Sequence, residues 1–236
     1  MPTVKVGEIS MYYELRGEGE PVVLIAGLGT NISPYRRIVD ELSKGFKVLS
    51  FDNRGVGHTD KPDISYSMEM MADDTAGLMR VLGIASGDVI GVSMGGRIAM
   101  ALTLRYPEMV KSLVLASTAP RVVRKGGMPA WFKLVKRLRT VGRVLGRSPQ
   151  PYYAFVRQFD ASGAYDCTAR LGEIHASTLI VHGRKDRLAP YALAEEMHSG
   201  IADSKLVTFD GGHIFMFWHS KRFANVVIEF LSSLPR

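Results

Sequence analysis

Three polar residues, each a reagent only in company, stand at the ends of short apolar runs. Ser93 follows Val89-Ile-Gly-Val92 and carries a glycine two places to either side, in Gly91-Val-Ser-Met-Gly95. Asp186 closes His182-Gly-Arg-Lys-Asp186 after Thr178-Leu-Ile-Val181, and His213 closes Asp210-Gly-Gly-His213 after Lys205-Leu-Val-Thr-Phe209. A serine hydroxyl is a weak nucleophile at neutral pH, so it needs a histidine within hydrogen-bond reach to take its proton. The histidine in turn needs a carboxylate to fix its tautomer and to stabilise the cation it becomes. Nucleophile, acid and base in that order imply acyl transfer to water. The small neighbours of the serine suit a sharp, strained turn that holds the hydroxyl clear of the chain.

Such residues act together only if the fold brings the ends of different strands to one place. Residues 4–6 and 11–15 alternate around Gly7-Glu8 and read as an opening hairpin. Residues 21–26 then form a continuous apolar run, as expected of a parallel strand covered on both faces. The unit recurs at 46–51, 88–92, 112–116, 178–181 and 205–209, with helical patterns at 34–42, 68–82, 96–106, 192–198 and 223–231. Strands and helices in alternation predict one α/β domain spanning 1–236, and ligands in such sheets bind beyond the carboxyl ends of the strands. Ser93, Asp186 and His213 all fall there.

The composition narrows the partners. The formal net charge is +7, and between residues 109 and 159 eleven Lys or Arg stand with no Asp or Glu, so one segment makes the chain basic. No nucleic-acid-binding module accompanies that charge, which argues against nucleic acid as a partner. Cys167 is the only cysteine, which excludes an intramolecular disulfide, a thiolate metal cluster and a C-x-x-C redox pair. No metal or cofactor is expected. The opening MPTVKVGEIS lacks the pattern of a signal peptide, and no apolar run reaches the roughly eighteen residues of a membrane span. A cytoplasmic location is the expectation.

The same residues, in one fixed order, resemble the α/β-hydrolase superfamily. The resemblance covers nearly the whole chain and is carried by AGLG at 26–29, FDNRGVGHTDKP at 51–62, GVSMGG at 91–96, YPEMVKSLVLAST at 106–118, LIVHGRKDRLAP at 179–190 and DGGH at 210–213. Within the superfamily it is similar to the small esterase and lactonase branch, including 3-oxoadipate enol-lactonase-like proteins. The resemblance implies a mainly parallel eight-stranded sheet with helices on both faces and a short helical cap, at about residues 120–170, after the sixth strand. It implies Ser93, Asp186 and His213 as the catalytic triad. It also places the two oxyanion-hole donors at the backbone amides of Leu28 and Met94, where Gly27 and Gly29 make steric sense.

Departures from the family pattern bear on the chemistry. Ala26 replaces the histidine that commonly precedes the oxyanion glycine, and Val92 stands where many relatives have His or Leu. Serine rather than aspartate at position 93 argues against routes through an alkyl ester on a carboxylate. Ester, thioester and lactone hydrolysis remain, as do C–C bond hydrolysis and cofactor-free perhydrolysis on the same triad.

Within the cap, Trp131, Leu134, Val135, Leu138, Val141 and Leu145 share one face at helical spacing, with basic residues largely elsewhere. That pattern reads as a lid helix with its apolar face on the site. A basic amphipathic helix also suits weak contact with an anionic membrane or the steering of anionic substrates, and a noncatalytic binding protein on this scaffold stays open. Trp131, Phe155, Phe159, Ile214 and Met216 are the candidate substrate-lining residues, and a small-molecule ester is the expected partner. Of the remaining histidines, His58, His175, His182, His198 and His219 are expected at the surface or in support of the site. Asp52 and Arg54 are expected to pin a loop.

Overall fold

The computed structural model describes residues 2–123 and 150–235. Strands β1 (Thr3–Val6) and β2 (Ile9–Arg16) make an antiparallel hairpin with Val6 opposite Ile9, around the expected Gly7-Glu8 turn. β2 pairs antiparallel with β4 (Lys47–Phe51). β3 (Pro21–Ile25), β5 (Gly87–Val92), β6 (Val110–Ala116), β7 (Ser177–Gly183) and β8 (Ser204–Phe209) complete a sheet of order β1-β2-β4-β3-β5-β6-β7-β8, parallel from β4 onward. This is the mainly parallel, eight-stranded sheet that the alternating pattern predicts.

Successive side chains of a strand point to opposite faces, and the two core clusters sort the strands accordingly. Val23, Ile25, Leu49, Val89, Leu113, Leu115 and Ile180 face one side. Val22, Leu24, Ala26, Val48, Ile90, Val92, Val114, Leu179 and Val181 face the other. Both sides are covered, which is why these strands are apolar throughout rather than alternating.

The described helices are α1 (Arg36–Leu42), α2 (Met68–Val81), α3 (Met94–Arg105), α4 (Tyr152–Ala164), α5 (Tyr191–Gly200), α6 (Phe215–Trp218) and α7 (Ser220–Ser233). Residues of α2, α3 and α5 belong to the first cluster, and residues of α1, α6 and α7 to the second. Sequence chemistry sets the boundaries. Ser67 caps α2 by accepting the Met70 amide at 3.0 Å, with Glu69 in the first turn and Arg80 in the last to match the helix dipole. In α7, Phe223, Ala224, Val227, Phe230 and Leu231 recur at helical spacing and are all buried.

Two details differ from the sequence pattern. α3 begins at Met94, two residues earlier than the periodicity suggests, because no linker separates it from β5. α6 is a single turn, too short to have a periodicity of its own.

The chain leaves β3 through α1 to β4 on one side, then crosses by α2 to β5 on the other side of β3. Strand order reverses at that point, with the connections leaving β3 and β5 running to opposite sides, and ligands of such sheets bind beyond the strand ends there.

Candidate active site

The expected nucleophile elbow comes first in the chain. Ser93, between the last residue of β5 and the first of α3, has φ 56° and ψ −117°. An L-residue is held in such a conformation only when its surroundings over-determine it, at a cost of about 1–3 kcal/mol. Those surroundings are visible. The Ser93 amide donates to Ala116 O at 2.9 Å, and Ser93 O accepts the Gly96 amide at 3.0 Å and Thr118 Oγ1 at 2.6 Å, so the turn is tied to the end of β6. Gly95 has no alternative at its position. A Cβ there would run into Ile25 O, and lie 2.7 Å from Ala26 O, at the end of β3.

The expected acid and base, Asp186 and His213, arrive on neighbouring loops. The amides of Arg184 and Lys185, after β7, donate to Phe209 O and Gly211 O, both at 2.9 Å, at the end of β8. These bonds zip the two loops together, so Asp186 and His213 face each other. His213 Nδ1 donates to Asp186 Oδ2 at 2.8 Å. That proton fixes the tautomer: His213 Nε2 carries the lone pair and accepts the Ser93 hydroxyl at 2.9 Å.

Asp186 is 5% exposed, and its other oxygen, Oδ1, takes the amides of Leu188 and Ala189 at 2.8 and 2.9 Å. Burial alone would push its carboxyl up. The nearby His182 ring and the hydrogen bonds from His213 and the Ala189 amide outweigh burial and hold it well below the usual carboxylate range. Asp186 is therefore a carboxylate at neutral pH.

Of the five histidines expected at the surface or in support of the site, His182 takes the supporting place. It is fully buried, donates from Nε2 to Ala189 O at 2.8 Å, and lies 3.4 Å from Asp186 Oδ2. The same turn that presents two amides to Asp186 is thus clasped by His182. His58, His175, His198 and His219 are exposed. The spacing of His182 to Asp186, at the end of a wholly apolar strand, is the signal that could have marked it as buried. Asp160 and Asp166, the other carboxylates within the stretch expected to form the cap, are exposed.

The loop after β3 is pinned from several sides. The Gly27 amide donates to Tyr35 Oη at 3.0 Å, and Gly27 O accepts Thr30 Oγ1 at 2.9 Å and the Thr30 amide at 3.3 Å. Asn53 Nδ2 donates to Ala26 O at 3.0 Å, and the Gly29 amide donates to Gln158 Oε1 at 3.0 Å. Among the described residues, the Leu28 and Met94 amides donate to no protein acceptor. Gly27 lies against Ser93, since a Cβ on it would be 3.4 Å from Ser93 Cβ.

Asp52 and Arg54 do pin a loop. Asp52 accepts the amides of Ile32 at 3.0 Å and His58 at 2.8 Å. Arg54 forms a two-pronged ion pair with Asp74, both contacts at 2.7 Å.

The candidate lining residues separate. Phe155 packs with Leu28, Tyr152, Val156 and Phe159, beside the loop after β3. Ile214 follows His213 and is half exposed, at 51%. Met216 departs from the expectation: it is fully buried in the second core cluster, because the single turn of α6 rolls it and Phe215 inward while Trp218 stays outside. Trp131 and the basic amphipathic stretch lie outside the described residues.

With this geometry in place, comparison with known proteins adds a lineage. The family described as the alpha/beta hydrolase fold matches the chain over residues 20–161. This chain belongs to that family. A solved enol-lactonase of Burkholderia xenovorans LB400 shares 28% identity and superposes with TM-score 0.86, covering 98% of this chain and 100% of that one. The alpha/beta hydrolase YisY of Bacillus subtilis is 27% identical, over 95% of this chain and 96% of its own length. A 2-hydroxymuconate semialdehyde hydrolase of Pseudomonas sp. strain CF600 is 28% identical over 92% of this chain and 88% of its own. Membership in the alpha/beta hydrolase fold family makes the strained serine, the histidine and the carboxylate parts of a hydrolase scaffold. It leaves open which bond is cut.

Proposed function

We propose that the chain is a serine hydrolase that cleaves a carboxylic ester, thioester or lactone of a small to medium substrate through an acyl-enzyme. The observation that carries this reading is the unbroken run of hydrogen bonds from Ser93 Oγ to His213 Nε2 and from His213 Nδ1 to Asp186 Oδ2.

Ser93 Oγ attacks the carbonyl carbon as its proton passes to His213 Nε2, and the buried Asp186 carboxylate stabilises the imidazolium. The carbonyl oxygen becomes an oxyanion, which the Leu28 and Met94 amides stabilise; such preorganised donors are commonly worth about 3–4 kcal/mol each. Collapse of the intermediate breaks the carbonyl–oxygen or carbonyl–sulfur bond, and the leaving group takes the proton from His213. In a lactone the released alcohol stays tethered to the acyl group. Water then attacks the acyl-enzyme by the same route, giving the free acid and restoring the Ser93 hydroxyl.

The surroundings favour an apolar substrate body. Leu188, Ile214 and Trp218, close in sequence to Asp186 and His213, are 63%, 51% and 79% exposed, and Phe155 and Phe159 stand beside Leu28. A pocket under a cap of this length encloses a modest ligand, so short and medium acyl groups fit the reading better than long lipid chains.

The test is turnover of p-nitrophenyl butyrate together with labelling by a fluorophosphonate. Wild type should hydrolyse the ester and take up one phosphonyl group on Ser93, and Ser93→Ala should do neither. Equal turnover by the two proteins would end the proposal. A second reading, hydrolysis of a C–C bond beside a carbonyl, is favoured by the likeness to the 2-hydroxymuconate semialdehyde hydrolase. It requires a proton for the leaving carbon, and loss of the visible absorbance of a dienol substrate without ester turnover would select it.

A further inference from the structure

Gln158 links the cap to the loop that holds Leu28. It is fully buried on α4, inside the stretch expected to form the cap, and two of its partners stand more than a hundred residues earlier in the chain. Its Nε2 donates to Arg54 O at 2.7 Å, and its Oε1 accepts the Gly29 amide at 3.0 Å and Gln150 Nε2 at 3.1 Å. A carbonyl on one side and an amide on the other fix which end of the carboxamide is which.

We infer that Gln158 is a positioning residue for the oxyanion hole: by holding the Gly29 amide it aims the neighbouring Leu28 amide at the substrate oxygen. The inference rests on the acyl-transfer reading above.

The argument is geometric. A peptide unit is planar, so the direction of the Leu28 N–H is set by the Gly27 carbonyl on the same plane. Thr30 fixes that carbonyl, by its amide and its hydroxyl. The next plane carries the Gly29 N–H, and among the described residues Gln158 is its acceptor. Gly29 itself has φ +66°, a conformation open to glycine, and the Phe155 ring closes on it from α4, 3.0 Å from where a Cβ would be. With both planes held, Leu28 has no freedom to turn its N–H away. With Gln158 removed, the second plane is loose. A misplacement of about 1 Å in such a site can cost roughly 10²-fold in rate.

Gln158 also ties three parts of the molecule at one atom group: the loop after β3, the Arg54 loop braced by Asp74, and α4 of the cap. The position of α4 and the geometry of the loop that carries Leu28 are thereby coupled.

The test uses Gln158→Leu in the full chain, with p-nitrophenyl butyrate as substrate and butylboronic acid as a tetrahedral mimic. The expected result is a fall in kcat of roughly 10²-fold, a KM within about threefold of wild type, and a weakening of boronate binding that tracks kcat. A rise in KM with kcat kept, or unchanged boronate binding, would overturn the inference. If that variant does not fold, Gln158→Glu decides. A neutral carboxyl can accept from Gly29 and donate to Arg54 O, whereas a carboxylate cannot donate. The activity of Gln158→Glu relative to wild type should therefore rise as pH falls, and a flat ratio would overturn the inference. Failure of acyl transfer itself is read separately, from wild type and Ser93→Ala. Full activity in a Gln158 variant leaves that reading intact and removes only this one.

Discussion

Asp186 meets His213 through one oxygen and the backbone through the other. Oδ2 takes the Nδ1 proton at 2.8 Å while Oδ1 is filled by the amides of Leu188 and Ala189. The carboxylate cannot rotate without losing several hydrogen bonds, so the imidazole it holds is fixed in one orientation.

Asp186→Asn keeps the size of the side chain and loses that direction. The amide can offer a donor to Nδ1, which moves the imidazole proton to Nε2 and turns the lone pair away from Ser93. kcat should fall by up to about 10⁴, with KM little changed. Steady-state kinetics on a short ester checks this, and near-normal kcat would exclude Asp186 as the partner of the base.

The same carboxylate makes stability depend on acid. Its folded value lies below the ordinary range, while in the unfolded chain it titrates near about 3.9. The unfolded state therefore binds the proton first as pH falls. The stabilisation is complete above the unfolded value and is lost as pH drops toward the folded one. Urea unfolding at stepped pH should show the margin of wild type over Asp186→Asn shrinking below about pH 4. A margin constant across that range would contradict the assignment.

Cys167 gives an independent check on packing. It is 2% exposed, and burial pushes its thiol up to about 11. The thiolate, the reactive form, is scarce at pH 8. Iodoacetamide should leave the native chain unmodified at that pH and label it once guanidinium unfolds it. Fast labelling of the native chain would place Cys167 at the surface.

The sheet and the three residues at its strand ends were legible because each rests on local chemistry. Apolar runs of strand length, separated by helical patterns, specify a covered parallel sheet, and small residues around Ser93 permit a backbone that others forbid. Gln158 was not legible. A glutamine in a helix carries no local mark, and two of its partners, Gly29 and Arg54, lie far off in the chain. Which of the two expected places His182 takes, surface or support, was not legible, because burial of its ring depends on Ala189 and Asp186 closing over it. Met216 misled in the opposite sense: an apolar residue just after His213 suggests a pocket wall, but one turn of helix sends it into the core.

The central claim is that Ser93 and His213 act as one unit in acyl transfer. The most direct measurement is kcat for a short p-nitrophenyl ester with Ser93→Ala, His213→Ala and the double variant. Each single variant should lose roughly 10⁴ to 10⁶ in kcat, and the double variant should be scarcely slower than either, because residual catalysis no longer passes through the pair. Losses that multiply in the double variant would mean that the two residues work independently, and would contradict the account.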